Sequence, residues 1–212
     1  MKRFAFTLAE VLITLGIIGI VAALTMPTLI AHYKAKVLEA QFKKSYSTLT
    51  NATKMLVQQD VSPYDLTTVA ERVEAYSKVL NASKCTTNYC SGKWNNLAGN
   101  KGLQVNIINR TALNLNDGSL VLFGPVDPVY NWIVVDINGP KKGPNRAGHD
   151  LHIFKIMQNN NLIPLSSGHD TRRCSIKSMD QWGADSYFGY GCTGYALMNK
   201  NPDGDGEYWY DF

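Results

Sequence analysis

Two segments of the chain concentrate the oxygen-bearing side chains that bind calcium. The first spans residues 136–150 and opens with the pattern Asp-x-Asn-Gly, while the second spans residues 201–207. The first resembles the start of a calcium loop but lacks the glutamate that closes an EF-hand. Asp and Asn side chains also stabilise turns by bonding to the backbone, so we favour structured turns in both segments. Calcium is the alternative, and its candidate ligands are Asp136, Asn138, Asp150, Asp203, Asp205 and Glu207.

The four cysteines could form disulfides or hold zinc. Four residues separate Cys85 from Cys90, and seventeen separate Cys174 from Cys192. The second spacing is too wide for an ordinary zinc ribbon. Four cysteines allow three connectivities, and in an oxidising compartment we favour the pairs Cys85–Cys90 and Cys174–Cys192. Closing the second loop would stabilise the fold by about 3 kcal/mol.

A glycine motif at Gly189–Gly194 matches the dinucleotide fingerprint G-x-G-x-x-G. Only 18 residues follow it (212 − 194), too few for the helix, strand and acidic residue that the fingerprint requires. The four histidines, His32, His149, His152 and His169, have no evident catalytic partners. We therefore expect a protein that is not an enzyme and treat the glycine motif as coincidence.

An uncharged apolar run covers residues 11–31 and is preceded directly by Glu10. Its 21 residues are long enough to span a bilayer as a helix. A secretory signal peptide and a simple membrane anchor are alternatives, although the run exceeds a typical signal sequence and has no clean cleavage site. An ionised carboxylate costs several kcal/mol in hydrocarbon, so Glu10 should have a functional partner.

The N-terminus resembles that of type IV pilins and type II secretion pseudopilins. The resemblance rests on the short basic leader Lys2-Arg3-Phe4-Ala5, followed by Phe6-Thr7-Leu8-Ala9-Glu10 and the apolar run. In that family a prepilin peptidase removes the leader and methylates the new N-terminus. This implies cleavage between Ala5 and Phe6 and methylation of Phe6, although the family usually has glycine where this chain has Ala5.

The resemblance also implies how the helix takes part in assembly. The free amine of Phe6 in a neighbouring subunit would neutralise Glu10 and fix the register between subunits. A glycine and a proline of the family correspond to Gly19 and Pro27, and the segment between them can unwind during assembly. Pro27 should kink the helix, because it removes a hydrogen bond and clashes with the preceding turn.

The family further implies a location and partners. The chain would insert once in the bacterial inner membrane, with its head outside the cytoplasm, and would join other pilin subunits in a filament through the assembly platform. The loop closed by Cys174–Cys192 would resemble the C-terminal disulfide loop of many pilins, and some pseudopilins bind calcium in the head. The alternative is a minor tip pilin that acts as an adhesin or binds DNA or a secreted substrate.

The helical pattern continues beyond the membrane segment and predicts one helix over residues 6–58. Thr68 and Glu71 predict a capping box for a second helix. Alternating apolar residues predict strands at 103–107, 132–137, 152–157, 162–165 and 208–212, and a two-residue hairpin turn at Asp117-Gly118. Short connections require antiparallel pairing, so we expect an α+β fold. Its parts would be a leader at 1–5, a membrane half at 6–31 and a head at 32–212.

The charge of the chain gives little support for nucleic-acid binding. The formal net charge is +4, but two of the positive residues, Lys2 and Arg3, belong to the leader. After cleavage, 19 positive and 17 negative residues leave +2 (21 − 2 = 19). The sequence thus predicts a structural filament subunit more strongly than a nucleic-acid binder.

Overall fold

The protein has an α+β fold, as predicted. The computed structural model describes residues 7–85, 94–100, 102, 112–124, 131–165, 174–175, 177 and 189–211. A long N-terminal helix precedes a six-stranded antiparallel sheet, and two short helices lie at the C-terminal end. The chain divides into two compact units, Met1–Val37 and Leu38–Phe212, with the boundary inside the first helix.

The first helix, α1, spans Leu8–Gln58 and contains 51 residues. At 1.5 Å per residue it is about 77 Å long. It stays α-helical through Pro27 and ends where the sequence pattern predicts. Its buried residues begin at Phe42 and recur at helical spacing; they are Phe42, Ser45, Leu49, Ala52, Thr53 and Leu56.

The second helix, α2, spans Val69–Leu80 and has the predicted capping box. The Thr68 hydroxyl accepts from the backbone N–H of Glu71 at 3.1 Å, and the Glu71 carboxylate accepts from the backbone N–H of Thr68 at 2.9 Å. These bonds satisfy two donors that a helix start otherwise leaves free. On its buried face, the Tyr76 hydroxyl bonds to the Thr53 hydroxyl of α1 at 2.8 Å.

The sheet is an antiparallel meander in which every strand pairs with its neighbours in sequence. The three strands observed between residues 132 and 164 confirm the sequence prediction, and their ends differ from the predicted ones by no more than one residue. The predicted strand at 103–107 lies outside the described residues. The six strands are β1 Ser83–Cys85, β2 Ala112–Asn114, β3 Leu120–Phe123, β4 Trp132–Asp136, β5 Leu151–Ile156 and β6 Leu162–Pro164.

The predicted two-residue turn between β2 and β3 is wrong. Leu115 donates its N–H to the carbonyl of Ser119 at 3.0 Å, which leaves residues 116–118 as a three-residue loop. Gly118 has a φ of +87°, a conformation that glycine adopts without a Cβ penalty. A three-residue hairpin ending in a left-handed residue is the next most common type.

The central strands are buried on both faces. β3 is fully buried, and β4 and β5 are buried except at Trp132 and Lys155. One face, which includes Phe154, meets α1 and α2, where the Tyr46 and Phe154 rings stack at 5.5 Å. The other face joins a second cluster around Trp94 and Tyr190. Two-sided burial explains why these strands are almost continuously apolar.

The C-terminal end is helical, so the predicted strand at 208–212 is wrong. Helix α3 spans Cys192–Met198, and α4 is a single turn at Tyr208–Asp211. The Tyr208 hydroxyl bonds to the Gly148 carbonyl, and Trp209 donates from Nε1 to the Ala196 carbonyl at 3.1 Å. These long-range bonds hold the last turn in place, against the strand preference of its aromatic residues.

Candidate functional site

The membrane-length segment of α1 is apolar and exposed. Among the described residues, α1 is the only helix that is both long enough and apolar enough to cross a membrane. None of its most apolar stretch of 18 residues is buried. Leu24 is 73% exposed and Leu29 is 69% exposed. A contiguous apolar surface of this extent marks a contact with lipid or protein, and a membrane span and a secretion signal both fit it.

Glu10 lies in the first turn of α1 and is held by Thr7. The Glu10 carboxylate accepts hydrogen bonds from the backbone N–H and the hydroxyl of Thr7, both at 2.8 Å. The Thr7 hydroxyl in turn accepts from the Glu10 N–H at 3.3 Å. This reciprocal pattern is that of a capping box. Ala5 and Phe6, the predicted processing residues, lie outside the described residues.

The threonine hydroxyls near Pro27 are hydrogen-bonded within the helix, and Gly19 lies on its open surface. A Cβ added at Gly19 would have no atom within 4 Å, so this glycine leaves the helix surface open. The hydroxyls of Thr25 and Thr28 donate to the Val21 and Thr25 carbonyls, each at 2.9 Å. Internal bonding of this kind is what a hydrocarbon environment requires.

The head end of α1 packs in an aromatic cluster that the sequence pattern did not predict. Phe42 packs on His152 of β5 and on Trp209 of α4, with ring centroids 4.5 and 5.5 Å apart. The periodicity of α1 indicated that Phe42 faces a core. The partners could not be identified, because they lie more than 100 residues further along the chain.

His152 is fully buried inside that cluster. Its Nε2 lies 3.1 Å from the His149 carbonyl, whereas its Nδ1 is buried without a hydrogen-bond partner among the described residues. Burial, which disfavours the charged imidazolium, lowers the pKa of His152 to about 3. The same cause lowers the pKa of His149 to about 4. Both side chains are therefore neutral in the folded protein near pH 7.

Cys174 and Cys192 form a disulfide, as favoured from the sequence. Both residues are fully buried, and Cys192 begins helix α3. A Cβ added at Gly148 would lie 2.9 Å from the Cys192 sulfur, so the bond packs directly against that turn. Cys85 is also disulfide-bonded, and Cys90 lies outside the described residues. A zinc site that needs all four thiolates is therefore wrong.

The first candidate calcium segment is a turn organised by two buried carboxylates. Asp136 accepts from Trp94 Nε1 and from the Gly139 N–H, both at 2.8 Å. Asp150 accepts from the backbone N–H groups of Asn145 and Arg146, both at 2.7 Å. Each of the four carboxylate oxygens thus accepts at least one hydrogen bond from the protein.

The two carboxylates are close enough to influence each other. Burial, followed by the charge of Asp150, raises the pKa of Asp136 to about 7, and burial also raises that of Asp150. Asn138 lies in the same turn, bonding to Asp150 and donating to the Gly143 carbonyl at 3.3 Å. The structure thus brings these three candidates together, and calcium binding by them stays a prediction.

The second candidate segment ties the turn after α3 to the residues beyond Cys174. Asp203 accepts from the Ser175 hydroxyl, and Lys177 Nζ donates to the Asp203 carbonyl at 2.6 Å. Glu207 accepts from the Asn199 amide at 3.2 Å, while Asp205 is exposed. No group of three or more His, Cys, Asp or Glu side chains arranged to hold a metal occurs within the described parts of the chain.

The glycine motif has no dinucleotide-site context. It runs into α3, which has seven residues, and the described residues after α3 contain α4 but no strand. Gly189 instead permits close packing, because a Cβ there would lie 2.7 Å from Ala147 atoms. Within the described part of the chain, the motif is therefore not followed by the strand that a dinucleotide-binding fold requires.

A long apolar N-terminal helix whose later half packs on an antiparallel sheet is a pilin-like architecture. No protein-family model matches the chain, and neither a curated protein nor a solved structure is significantly similar to it. The architecture, the exposed apolar helix and the disulfide-bonded head are therefore the observations on which a function can be based.

Proposed function

We propose that this protein is a structural subunit of a type IV pilus or a type II secretion pseudopilus. The observation that carries the proposal is the division of α1. Its large apolar residues are exposed from Leu8 to Ile30, whereas Phe42, Leu49, Ala52 and Leu56 are buried in the head. An exposed apolar helix needs lipid or other apolar helices around it. Membrane insertion followed by polymerisation supplies these two environments in turn.

The proposed processing step prepares the chain for assembly. A prepilin peptidase cleaves between Ala5 and Phe6 and methylates Phe6, and the inner-membrane platform then adds the subunit to the filament. The amine exposed on Phe6 pairs with Glu10 of a neighbouring subunit. Glu10 is suited to this role because it lies at the helix start, beside the exposed apolar surface.

N-terminal sequencing of the protein purified from membranes of its host tests the processing step. A mature chain that begins at methylated Phe6 is the expected result. A chain that still carries Lys2 and Arg3 would indicate an unprocessed anchor, and one that begins after the apolar run would indicate a signal peptide. Either result would refute the proposal.

Replacing Glu10 tests the assembly role separately. We expect Glu10→Ala to insert into the membrane like wild type but to enter filaments poorly. Glu10→Gln is the matched control for charge, because it retains an oxygen that accepts from Thr7 and removes only the ionisable group. Filament incorporation of Glu10→Gln at the wild-type level would contradict a charge pair with the Phe6 amine.

A second candidate is a minor pilin at the filament tip that binds a ligand, and a cavity in the head favours it. This cavity of about 200 Å³ lies between the β2–β3 hairpin and the turn after β4. Asn114, Leu120, Asn138 and Lys142 contribute to its lining. Immunogold labelling of filaments distinguishes the candidates, because a shaft subunit is labelled along the whole filament and a tip subunit only at its end.

A further inference from the structure

The first lysines after the apolar run of α1 differ from the later ones. Lys34 and Lys36 are exposed and have no ion pair among the described residues. Lys43 and Lys44, less than three turns further on, pair with acidic residues at 2.5 and 2.7 Å. The first pair of lysines, called the basic collar below, thus has positive charge that the described residues of the head do not neutralise.

The position of the collar along α1 matches the headgroup layer of a bilayer. The apolar run 11–31 is about 31 Å long as a helix, close to the hydrocarbon thickness of about 30 Å. Lys34 and Lys36 follow within about 8 Å of its end. Tyr33, which is 69% exposed, adds the amphipathic ring found at membrane interfaces.

The two lysines of the collar lie on nearly opposite sides of the helix and not along one stripe. Successive residues of an α-helix are turned by about 100°, so Lys34 and Lys36 lie about 200° apart around the axis. A protein partner that binds one face of α1 would reach only one of them. Headgroups encircle a spanning helix and can contact both, and long lysine side chains extend readily to phosphate level.

We propose that Lys34 and Lys36 bind the phosphates of anionic phospholipids in the leaflet at the C-terminal end of the apolar run. This inference rests on the proposed function, because it requires α1 to span the membrane. It accounts for positive residues on the side of the membrane where the positive-inside rule does not favour them. The collar would hold the chain at a fixed depth before assembly.

Lipid-selective fluorescence quenching tests the collar in the full chain. Tyr33→Trp places a reporter in the collar, and the signal is the difference from the chain that keeps Tyr33. Both chains are inserted in phosphatidylcholine vesicles containing an equal fraction of brominated phosphatidylglycerol or brominated phosphatidylcholine. We expect stronger quenching by the anionic lipid, with each lysine contributing up to about fivefold in relative association.

Two variants assign the selectivity to the collar. In the variant Lys34→Gln/Lys36→Gln, the ratio of quenching by the anionic lipid to quenching by phosphatidylcholine should fall close to one. Lys54→Gln/Lys200→Gln, which removes the same charge from exposed positions in the head unit, should retain it. Added inorganic phosphate at constant ionic strength should not compete, because the site is proposed for phosphates held in a bilayer.

The outcomes separate this inference from the proposed function. Three results would overturn lipid binding by the collar but not membrane insertion, because in each the reporter is in the membrane. They are equal quenching by both lipids, selectivity that persists without the two lysines, and competition by free phosphate. If neither lipid quenches the reporter and a protease can digest α1 from outside the vesicles, membrane insertion fails. That result would overturn both proposals.

Discussion

Residues 8–37 and 38–58 belong to one helix, but their apolar side chains have different surroundings. In the first part, Ile18 and Ile20 are 63% and 64% exposed, whereas in the second Phe42 and Leu49 are almost completely buried. The second part is stabilised by the head, and the first has an exposed apolar surface that requires an external partner. One regular element thus combines a part that packs in the head with a part whose apolar surface is exposed.

The largest expected effect comes from truncating a side chain in the buried part. Phe42→Ala should lower the free energy of unfolding of the head by about 4 kcal/mol, because it removes a buried ring that packs on both His152 and Trp209. Chemical denaturation of the full chain in detergent, followed by near-ultraviolet circular dichroism, measures this. Ile18→Ala is the matched change in the exposed part and should alter head stability by less than about 0.5 kcal/mol. Similar losses in the two variants would contradict the comparison.

Removing the Cys174–Cys192 disulfide should have the next largest effect. The bond closes a loop with a sequence separation of 18, so Cys174→Ala/Cys192→Ala should cost about 3 kcal/mol of head stability. The same denaturation experiment measures the loss. Helicity of the exposed part of α1 should not change. A stability within error of wild type would show that the bond does not constrain the head.

Acid should weaken the buried end of α1 through His152. Burial lowers the pKa of His152 from its usual value of 6.5 to about 3 in the folded protein. Above pH 6.5 the side chain is neutral in both the folded and the unfolded state. As the pH falls from 6.5 toward 3, the unfolded state binds a proton that the folded state does not, so stability is lost. Between pH 6 and pH 4 the loss is about 1.4 kcal/mol per pH unit. His152→Phe, which preserves an aromatic ring, should remove that slope in pH-dependent denaturation.

Other buried groups modify this pH dependence and need a difference measurement. His149, with a pKa of about 4, acts in the same direction as His152. Asp136 acts in the opposite direction, because its pKa is raised to about 7 and the stability of its protonated form is lost as the pH rises through that value. Subtracting the His152→Phe profile from wild type isolates His152, and parallel profiles would exclude its contribution.

The smallest expected effect comes from removing the capping threonine at the start of a helix, which can be done in both α1 and α2. Thr68→Ala removes the cap of α2, which packs in the head, and should lower the free energy of unfolding by about 1 kcal/mol. Thr7→Ala makes the same change at the start of α1 and should leave head stability unchanged. Thermal unfolding of both variants measures the difference. An equal decrease would mean that the start of α1 contributes to the head.

Local patterns were sufficient for the regular elements. The periodicity of α1, the Thr68–Glu71 capping box and the apolar β4 and β5 segments all predicted structure correctly, because each depends on neighbours in sequence. The hairpin turn was wrong by one residue, since Asp117-Gly118 fits more than one loop length. In the structure, Asp117 accepts from the Ser119 N–H at 3.0 Å and stabilises the three-residue loop.

Features that depend on distant residues could not be predicted. Aromatic residues at the C-terminus indicated a strand, but Tyr208 and Trp209 bond to Gly148 and Ala196 and form a helical turn. Helix α3 was missed because its sequence, CTGYALM, contains Gly and Thr and depends on packing and the disulfide. The turn at 136–150 was predicted correctly as a structured turn, because Gly139, Asn145 and Arg146 donate backbone N–H groups to carboxylates only three to five residues away. The bond from Trp94 Nε1 to Asp136 could not be predicted, since the two residues are 42 positions apart.

The meander has a consequence for the order in which the head is completed. Every strand pairs with the one made just before it, so the sheet can grow in step with synthesis. The buried end of α1, although made early, packs on residues that are made much later, since Phe42 contacts His152 and Trp209. A chain that ends before α4 would lack the contact between Phe42 and Trp209. The packing of the buried part of α1 therefore depends on α4, an element made more than 150 residues later.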